Sequence, residues 1–313
     1  MKAVIATDYG PPEQFTVADL PVPHPGPGQI QVRIAAASIN SIDLRVPGGE
    51  LRGVADLTFP HVPGNDFAGT VSDVGPDVTA YRVGDEVFGH AVPRALRAMM
   101  GAGRPSLTTG TLAEYAVFEA DTPFIAHRPP GLTVADAAAL PTAGLTARAL
   151  IATAAPSAGD TLLVVGATGG VGTTLLPLLR PARVIATGKP ADAEALLALG
   201  ASEVIGYDDP YPGPVDVAFN LVLPSDRLRR VGQALRPGGR LYTITFPPPR
   251  PDYLDRDDVH FELVLDTQGR LGGMSDVAGL RVTVGRRYRL DDGVRALTDF
   301  ARTHTFGKLV VTV

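Results

Sequence analysis

The chain has 313 residues, of which 45% are hydrophobic and 19% charged, and a formal net charge of −5. That length suits two domains of ~100–200 residues, and the composition excludes a disordered chain. An acidic balance with no basic cluster counts against nucleic acid as a partner. The absence of cysteine excludes disulfides, a thiolate nucleophile and thiolate-held zinc.

The start, Met1-Lys2-Ala3-Val4-Ile5-Ala6, lacks the roughly 7–15-residue apolar core of a signal peptide. No segment reads as approaching the ~18 apolar residues of a membrane span. A soluble, cytoplasmic protein without a membrane partner is expected. Up to about residue 120 the chain reads as β-rich, with short Val/Ile runs at 2–7, 29–36, 68–74, 86–89 and 113–118. Turn clusters such as Pro21-Val22-Pro23-His24-Pro25-Gly26-Pro27-Gly28 separate the runs, which predicts a small barrel or sandwich. Ala91 to Gly110 has no periodicity and reads as an exposed excursion.

Beyond residue 121 the texture changes. Val134–Leu140 and Leu145–Thr153 read as helices, and strand–helix alternation follows. Strands are predicted at Leu162–Val165, Val184–Thr187, Glu203–Ile205, Val217–Asn220 and Arg240–Thr245, with helices at Val171–Leu179, Ala191–Leu199 and Arg227–Leu235. This is a βαβ series, hence a parallel sheet with helices on both faces. Pro177 should shorten or kink its helix. Leu199-Gly200-Ala201 and Pro237-Gly238-Gly239 read as helix stops. Val259–Leu265 is predicted as an apolar edge strand, and the tail around Phe306–Val311 as the last strand.

The run Gly166-Ala167-Thr168-Gly169-Gly170-Val171-Gly172 joins a predicted strand to a predicted helix. Glycines there let the backbone approach a pyrophosphate, which the free N–H groups of the helix start attract. Ala167 replaces the first glycine of the G-x-G-x-x-G pattern, and a tight turn without a ligand would use the same residues.

Seven segments in order resemble the zinc-independent quinone oxidoreductases of the medium-chain dehydrogenase/reductase superfamily. They are Ala37-Ser38-Ile39-Asn40-Ser41-Ile42-Asp43, Val62-Pro63-Gly64-Asn65-Asp66-Phe67-Ala68-Gly69-Thr70-Val71, Val83-Gly84-Asp85-Glu86-Val87, Ala137 to Ala147, Ala167 to Gly172, Leu199-Gly200-Ala201 and Gly307-Lys308. The resemblance implies an α/β fold: a Rossmann doubly wound parallel sheet plus a chaperonin-10-like (GroES-like) β-barrel domain. The barrel would comprise residues 1–120, completed by 285–313, and the Rossmann domain 121–284, with the active site in the cleft between them. Zinc-dependent relatives carry Cys and His where Asn40 and Asn65 stand. Amides are poor zinc ligands, so no metal and no Lewis-acid alcohol oxidation is expected. The substrate-side Tyr of many relatives is absent after Asp43.

An NAD site usually places a carboxylate ~20 residues beyond the glycine turn. Here that place reads Ala186-Thr187-Gly188-Lys189, and Thr187 and Lys189 offer groups for a 2′-phosphate, so NADPH is the expected cofactor. Lys189 reads also as a solvated helix-start lysine. Tyr207 matches a family tyrosine after the third strand and reads also as a surface aromatic. The missing carboxylate argues against a methyltransferase. The expected cofactor-binding set is Asn40, Thr142, Thr146, Ala167, Thr168, Gly169, Gly170, Val171, Thr187, Gly188, Lys189, Tyr207, Asn220, Phe246 and Lys308.

Asn40 and Asp43 are the expected catalytic residues. Asn40 would donate to a developing oxyanion, with a turn cap as its plainer role, and Asp43 would act or merely orient backbone. The six histidines, 24, 61, 90, 127, 260 and 304, read as surface or loop residues, with His61 the first to check and the proton left to solvent. The implied activity is hydride transfer from NADPH to a quinone or α,β-unsaturated carbonyl. The alternatives are an enoyl-thioester reductase or a non-catalytic NADPH sensor. A homodimer pairing the Val259–Leu265 strand across a two-fold is expected.

Overall fold

In the computed structural model, residues 1–53, 56–91 and 110–313 are described. The strands in chain order are β1 (Lys2–Ile5), β2 (Thr16–Asp19), β3 (Gln29–Ser38), β4 (Asp66–Val74), β5 (Glu86–His90), β6 (Tyr115–Glu119) and β7 (Ile125–His127). They continue as β8 (Thr161–Val165), β9 (Arg183–Thr187), β10 (Glu203–Ile205), β11 (Val215–Asn220), β12 (Leu235–Thr243), β13 (His260–Leu263), β14 (Val284–Arg289) and β15 (Lys308–Thr312). Contacts divide the chain into two units. One is Met1–Thr142 with Thr267–Gly269 and Gly273–Val313; the other is Ala143–Asp266 with Arg270–Gly272.

In the first unit a seven-stranded sheet runs β14-β15-β3-β4-β5-β7, with β6 also on β3. β3 is long enough to serve two partners. Residues 29–33 pair with β6, and 36–38 pair with β15. The core beneath is aromatic and aliphatic, with Phe67 stacked on Phe118 at 4.1 Å between centroids. Register matters most at one row. Ser38 faces Asp66 across β3/β4, and Asp66 faces His90 across β4/β5. Directly opposed residues share a face, so this row gathers polar side chains at the strand ends.

The second unit is a six-stranded parallel sheet of order β10-β9-β8-β11-β12-β13. Counted within the unit this is 3-2-1-4-5-6, the Rossmann order, whose direction reverses between β8 and β11. The inner strands read as unbroken apolar runs because helices cover both faces. Leu162, Leu163 and Val164 are fully buried, as are Val217, Ala218 and Phe219. β13 lies at the sheet edge, as its apolar run predicts, and is shorter than expected.

Several expectations need correction. Val134–Ala154 is one 21-residue helix containing Pro141, not two helices. By length and composition it could cross a membrane, contrary to the sequence reading; 61% of its apolar window is buried inside the protein, as suits a core helix. The helix after β11 covers only Arg229–Ala234, behind a 3₁₀ turn at Ser225–Arg227. Pro237-Gly238-Gly239 lies inside β12 rather than stopping a helix. There Leu235 pairs with Val215 and Arg240 with Val217, so the extra residues form an irregularity in the ladder. Pro177 acts as expected: the helix Gly170–Leu175 tightens into a 3₁₀ turn at Leu176–Leu179. The predicted excursion after Ala91 lies outside the described residues.

Candidate active site

The polar row of the first unit centres on Asp66, whose carboxylate is fully buried. Its Oδ2 accepts from Ser38 Oγ at 3.2 Å, Asn40 Nδ2 at 3.0 Å and Lys308 Nζ at 3.3 Å. Its Oδ1 accepts from Thr142 Oγ1 at 2.6 Å and faces His90 Nδ1 at 2.9 Å. The Thr142 N–H adds contacts of 3.2 and 3.3 Å. Strand geometry explains the assembly. Lys308 lies two residues before Val310, which faces Ser38 across β15/β3, and side chains two apart share a face. The helix Val134–Ala154 supplies the remaining contact, just after Pro141, which has no N–H for the helix ladder. Thr142, the next residue, turns both N–H and hydroxyl to Asp66.

Burial opposes ionisation of Asp66, but the Lys308 ammonium and the His90 hydrogen bond outweigh it and hold the carboxyl well below the usual range. Lys308 is 5% exposed, and its ammonium is spent inside the protein. It donates to Ile39 O at 3.1 Å and Asn40 Oδ1 at 2.5 Å besides Asp66. These partners fix the Asn40 amide. Oδ1 faces the ammonium and one Nδ2–H faces Asp66, and the second N–H has no partner among the described residues.

Asp43 is also buried. Its Oδ2 accepts the Asn40 N–H at 2.7 Å, while Oδ1 makes no hydrogen bond of ordinary geometry. Burial pushes its pKa up to about 7, against the pull of the Asn40 N–H, and the Asp66 charge adds to the rise.

In the second unit the glycine run follows β8 at the reversal of strand order. Gly166 has φ +90°, so the sharp turn falls one residue before the position where the sequence pattern sought it. Ala167 is buried beneath the turn. A Cβ on Gly172 would stand 2.4 Å from Ala167 O, so the third glycine is needed for close packing of helix on strand. A Cβ on Gly169 would meet nothing nearer than 3.6 Å, which leaves its backbone open to a ligand. Gly170 and Val171 open the helix, where N–H groups lack intrahelical acceptors. This geometry fits a dinucleotide pyrophosphate.

The other expected cofactor residues divide into two sets. Thr168 Oγ1 lies 3.1 Å from the Tyr207 hydroxyl, and Lys189 is exposed just beyond β9. Thr187 is fully buried, and its hydroxyl accepts the Gly166 N–H at 2.9 Å. It therefore braces the turn. Gly188 is buried against Leu196. Asn220 is fully buried too. Its Nδ2 donates to Leu223 O, Thr243 Oγ1 and Thr245 Oγ1 at 2.7–3.0 Å, and its Oδ1 accepts from Leu223 N. That amide holds the loop after β11. β12 stops at Thr243, so Phe246 lies in a loop, 42% exposed, and does not end a strand. Thr146 follows Thr142 by one turn on the same helix.

The sequence reading missed two residues. In the sequence Asp66 stands out only as part of a motif and His90 reads as a surface or loop histidine, whereas His90 ends β5 inside the polar row. The available signal was a lone carboxylate opening the apolar strand Asp66-Phe67-Ala68-Gly69, since a buried charge requires partners. His61 is a poor acid–base candidate, because burial lowers its pKa to about 4. His127 and His260 are exposed beside Asp85 and Glu262, as expected of surface residues.

Residues 26–128 match the alcohol dehydrogenase GroES-like domain family. The chain is 32% identical to a 2-methylene-furan-3-one reductase of Solanum lycopersicum and 30% identical to an NADPH-dependent alkenal/one oxidoreductase of Arabidopsis thaliana. Both alignments cover 78% of this chain and 62% of the relative. Thus the chain spans less than two thirds of the length of these curated relatives. A solved quinone oxidoreductase of Coxiella burnetii superposes with a TM-score of 0.86 at 26% identity, covering 100% of this chain and 99% of that one. These findings bear out the resemblance seen in the sequence: the chain has the fold of the medium-chain dehydrogenase/reductase superfamily, and its homologues include quinone oxidoreductases and enone reductases.

Proposed function

We propose that the chain is an NADPH-dependent reductase of quinones or α,β-unsaturated carbonyls that works without a metal. The observation that carries this reading is the glycine turn at the reversal of a 3-2-1-4-5-6 sheet, with no carboxylate at the end of β9. The names of the relatives support the same reading. Gly169, Gly170 and Val171 would hold the pyrophosphate, with Thr168 and Tyr207 beside it. Lys189 would meet the 2′-phosphate that separates NADPH from NADH. Ala167, Thr187 and Asn220 shape the site from beneath.

When bound, NADPH supplies a hydride to an electrophilic carbon. On the acceptor side, the free Asn40 N–H stabilises the charge that develops on the acceptor oxygen. Lys308 and Asp66 lock that amide, and Asp43 fixes the Asn40 backbone. Asn40 and Asn65, being amides, favour chemistry without zinc. We also place the protein in the cytoplasm as a homodimer paired through β13, and a monomer by light scattering would remove the dimer.

The test is loss of absorbance at 340 nm with quinones, enones and enoyl thioesters. Turnover of quinones or enones supports the proposal, whereas turnover of thioesters alone moves the reading to an enoyl-thioester reductase. Tight NADPH binding with no turnover of any acceptor would make the chain a sensor.

A further inference from the structure

We propose that His90 donates the proton that completes reduction of the acceptor, with Asp66 fixing its ring. This inference rests on the reductase reading above. The tautomer follows from the two neighbours of Nδ1. Asp66 Oδ1, at 2.9 Å, is an ionised carboxylate and can only accept. Thr142 Oγ1, at 3.1 Å, commits its own proton to Asp66 over 2.6 Å, and so it too can only accept from the ring. Nδ1 therefore carries hydrogen. Among the described residues Nε2 has no hydrogen-bond partner, and the side chain is 18% exposed while Asp66 is fully buried. The ring is thus anchored on one nitrogen, with the other unpartnered among the described residues, the arrangement that orients an acid–base histidine.

The groups around it support the assignment. Asp66 on β4 binds His90 through Oδ1 and Asn40 through Oδ2, so a single carboxylate holds both the oxyanion donor and the proton donor. Lys308 on β15 balances the Asp66 charge, Asp43 adds a second carboxyl to the cluster, and Phe124 packs edge-on against the ring. The step balances. Bound NADPH would supply the hydride by breaking its nicotinamide C4–H bond and leaving as NADP⁺, and the acceptor carbon would gain the new C–H bond and be left as an enolate or quinolate. The imidazolium Nε2–H bond breaks as that anion takes the proton, and the ring becomes neutral with hydrogen on Nδ1. Water then returns a proton to Nε2.

His90→Asn is the variant of choice, because its amide N–H replaces Nδ1–H on Asp66 and nothing replaces Nε2. With the wild type established as a reductase, kcat should fall ~100-fold. NADPH affinity by fluorescence titration should stay unchanged, the pH profile should lose the limb due to the acid, and added imidazole should restore part of the rate. A His90→Asn enzyme with wild-type kcat and pH profile would overturn the proposal and leave the reductase reading intact. Independently of activity and of the variant's folding, ¹⁵N NMR of the free wild type should show the neutral His90 ring protonated at Nδ1. A neutral ring protonated at Nε2 would overturn the assignment. A wild type that reduces no acceptor would overturn the reductase reading first, and the proton-donor role with it.

Discussion

The first unit keeps its chemistry in buried charge, whereas the second keeps it in bare backbone. Asp66 and Lys308 lie 242 residues apart in sequence and meet only when β3, β4 and β15 are in register. The glycine turn is contiguous, uncharged, and needs only a strand behind it and a helix ahead. A charged cluster is costly to desolvate and fails badly when one member is lost, while a glycine turn fails by crowding. The two units should therefore respond to substitution in different ways.

The largest effect is expected from Lys308→Met. It leaves Asp66 charged and uncompensated and should cost ~3–5 kcal/mol in denaturant unfolding. A loss under ~1 kcal/mol would mean that the Asp66 cluster does not depend on the pair. Asp43 gives a pH signature of similar size. Its folded pKa is raised from 3.8 to about 7, so the native state binds more protons than the unfolded chain across that window. Its contribution is complete below about pH 4 and is lost as pH rises through 7, a change of roughly 4 kcal/mol at most. Asp66 has the opposite sign: its lowered pKa stabilises the fold above about pH 4, and that gain is lost on further acidification. Asp43→Asn should flatten the loss between about pH 4 and 7, and an unchanged slope would remove Asp43 as its source.

In the second unit, Gly172→Ala forces a Cβ to within 2.4 Å of Ala167 O and should cost ~1–3 kcal/mol. Gly169→Ala has room for its Cβ, so thermal stability should hold within ~0.5 kcal/mol while NADPH binding weakens. Equal stability losses for the two alanines would contradict the geometry of the turn. The narrowest change, confined to one nucleotide, is expected for Lys189→Ala. Its KM for NADPH should rise ~10-fold, as loss of a charge-assisted hydrogen bond predicts, with NADH unaffected. A wild-type NADPH/NADH ratio would remove Lys189 from the phosphate site.

The same contrast explains what could be read from the sequence. The glycine run, the βαβ alternation and the edge position of β13 were legible because each is a local pattern of period or punctuation. The Pro141 helix was not, because Pro141 and Gly144 look like breakers until burial of most of the helix overrides them. His90 was missed because its place depends on the register of three strands, and a histidine beside Gly89 resembles a loop residue. Asn220 and Thr187 lie where ligand contacts were expected, but strand-end polar groups can equally well satisfy neighbouring backbone, and theirs do. Lys308 was placed against the cofactor, yet its ammonium is consumed by Asp66, Asn40 and Ile39.

The most direct test of the account is calorimetric titration of the purified chain with NADPH and, separately, NADH. The account predicts saturable heat at one NADPH per chain, weaker binding of NADH, and loss of that preference in Lys189→Ala. No heat with either nucleotide would contradict it.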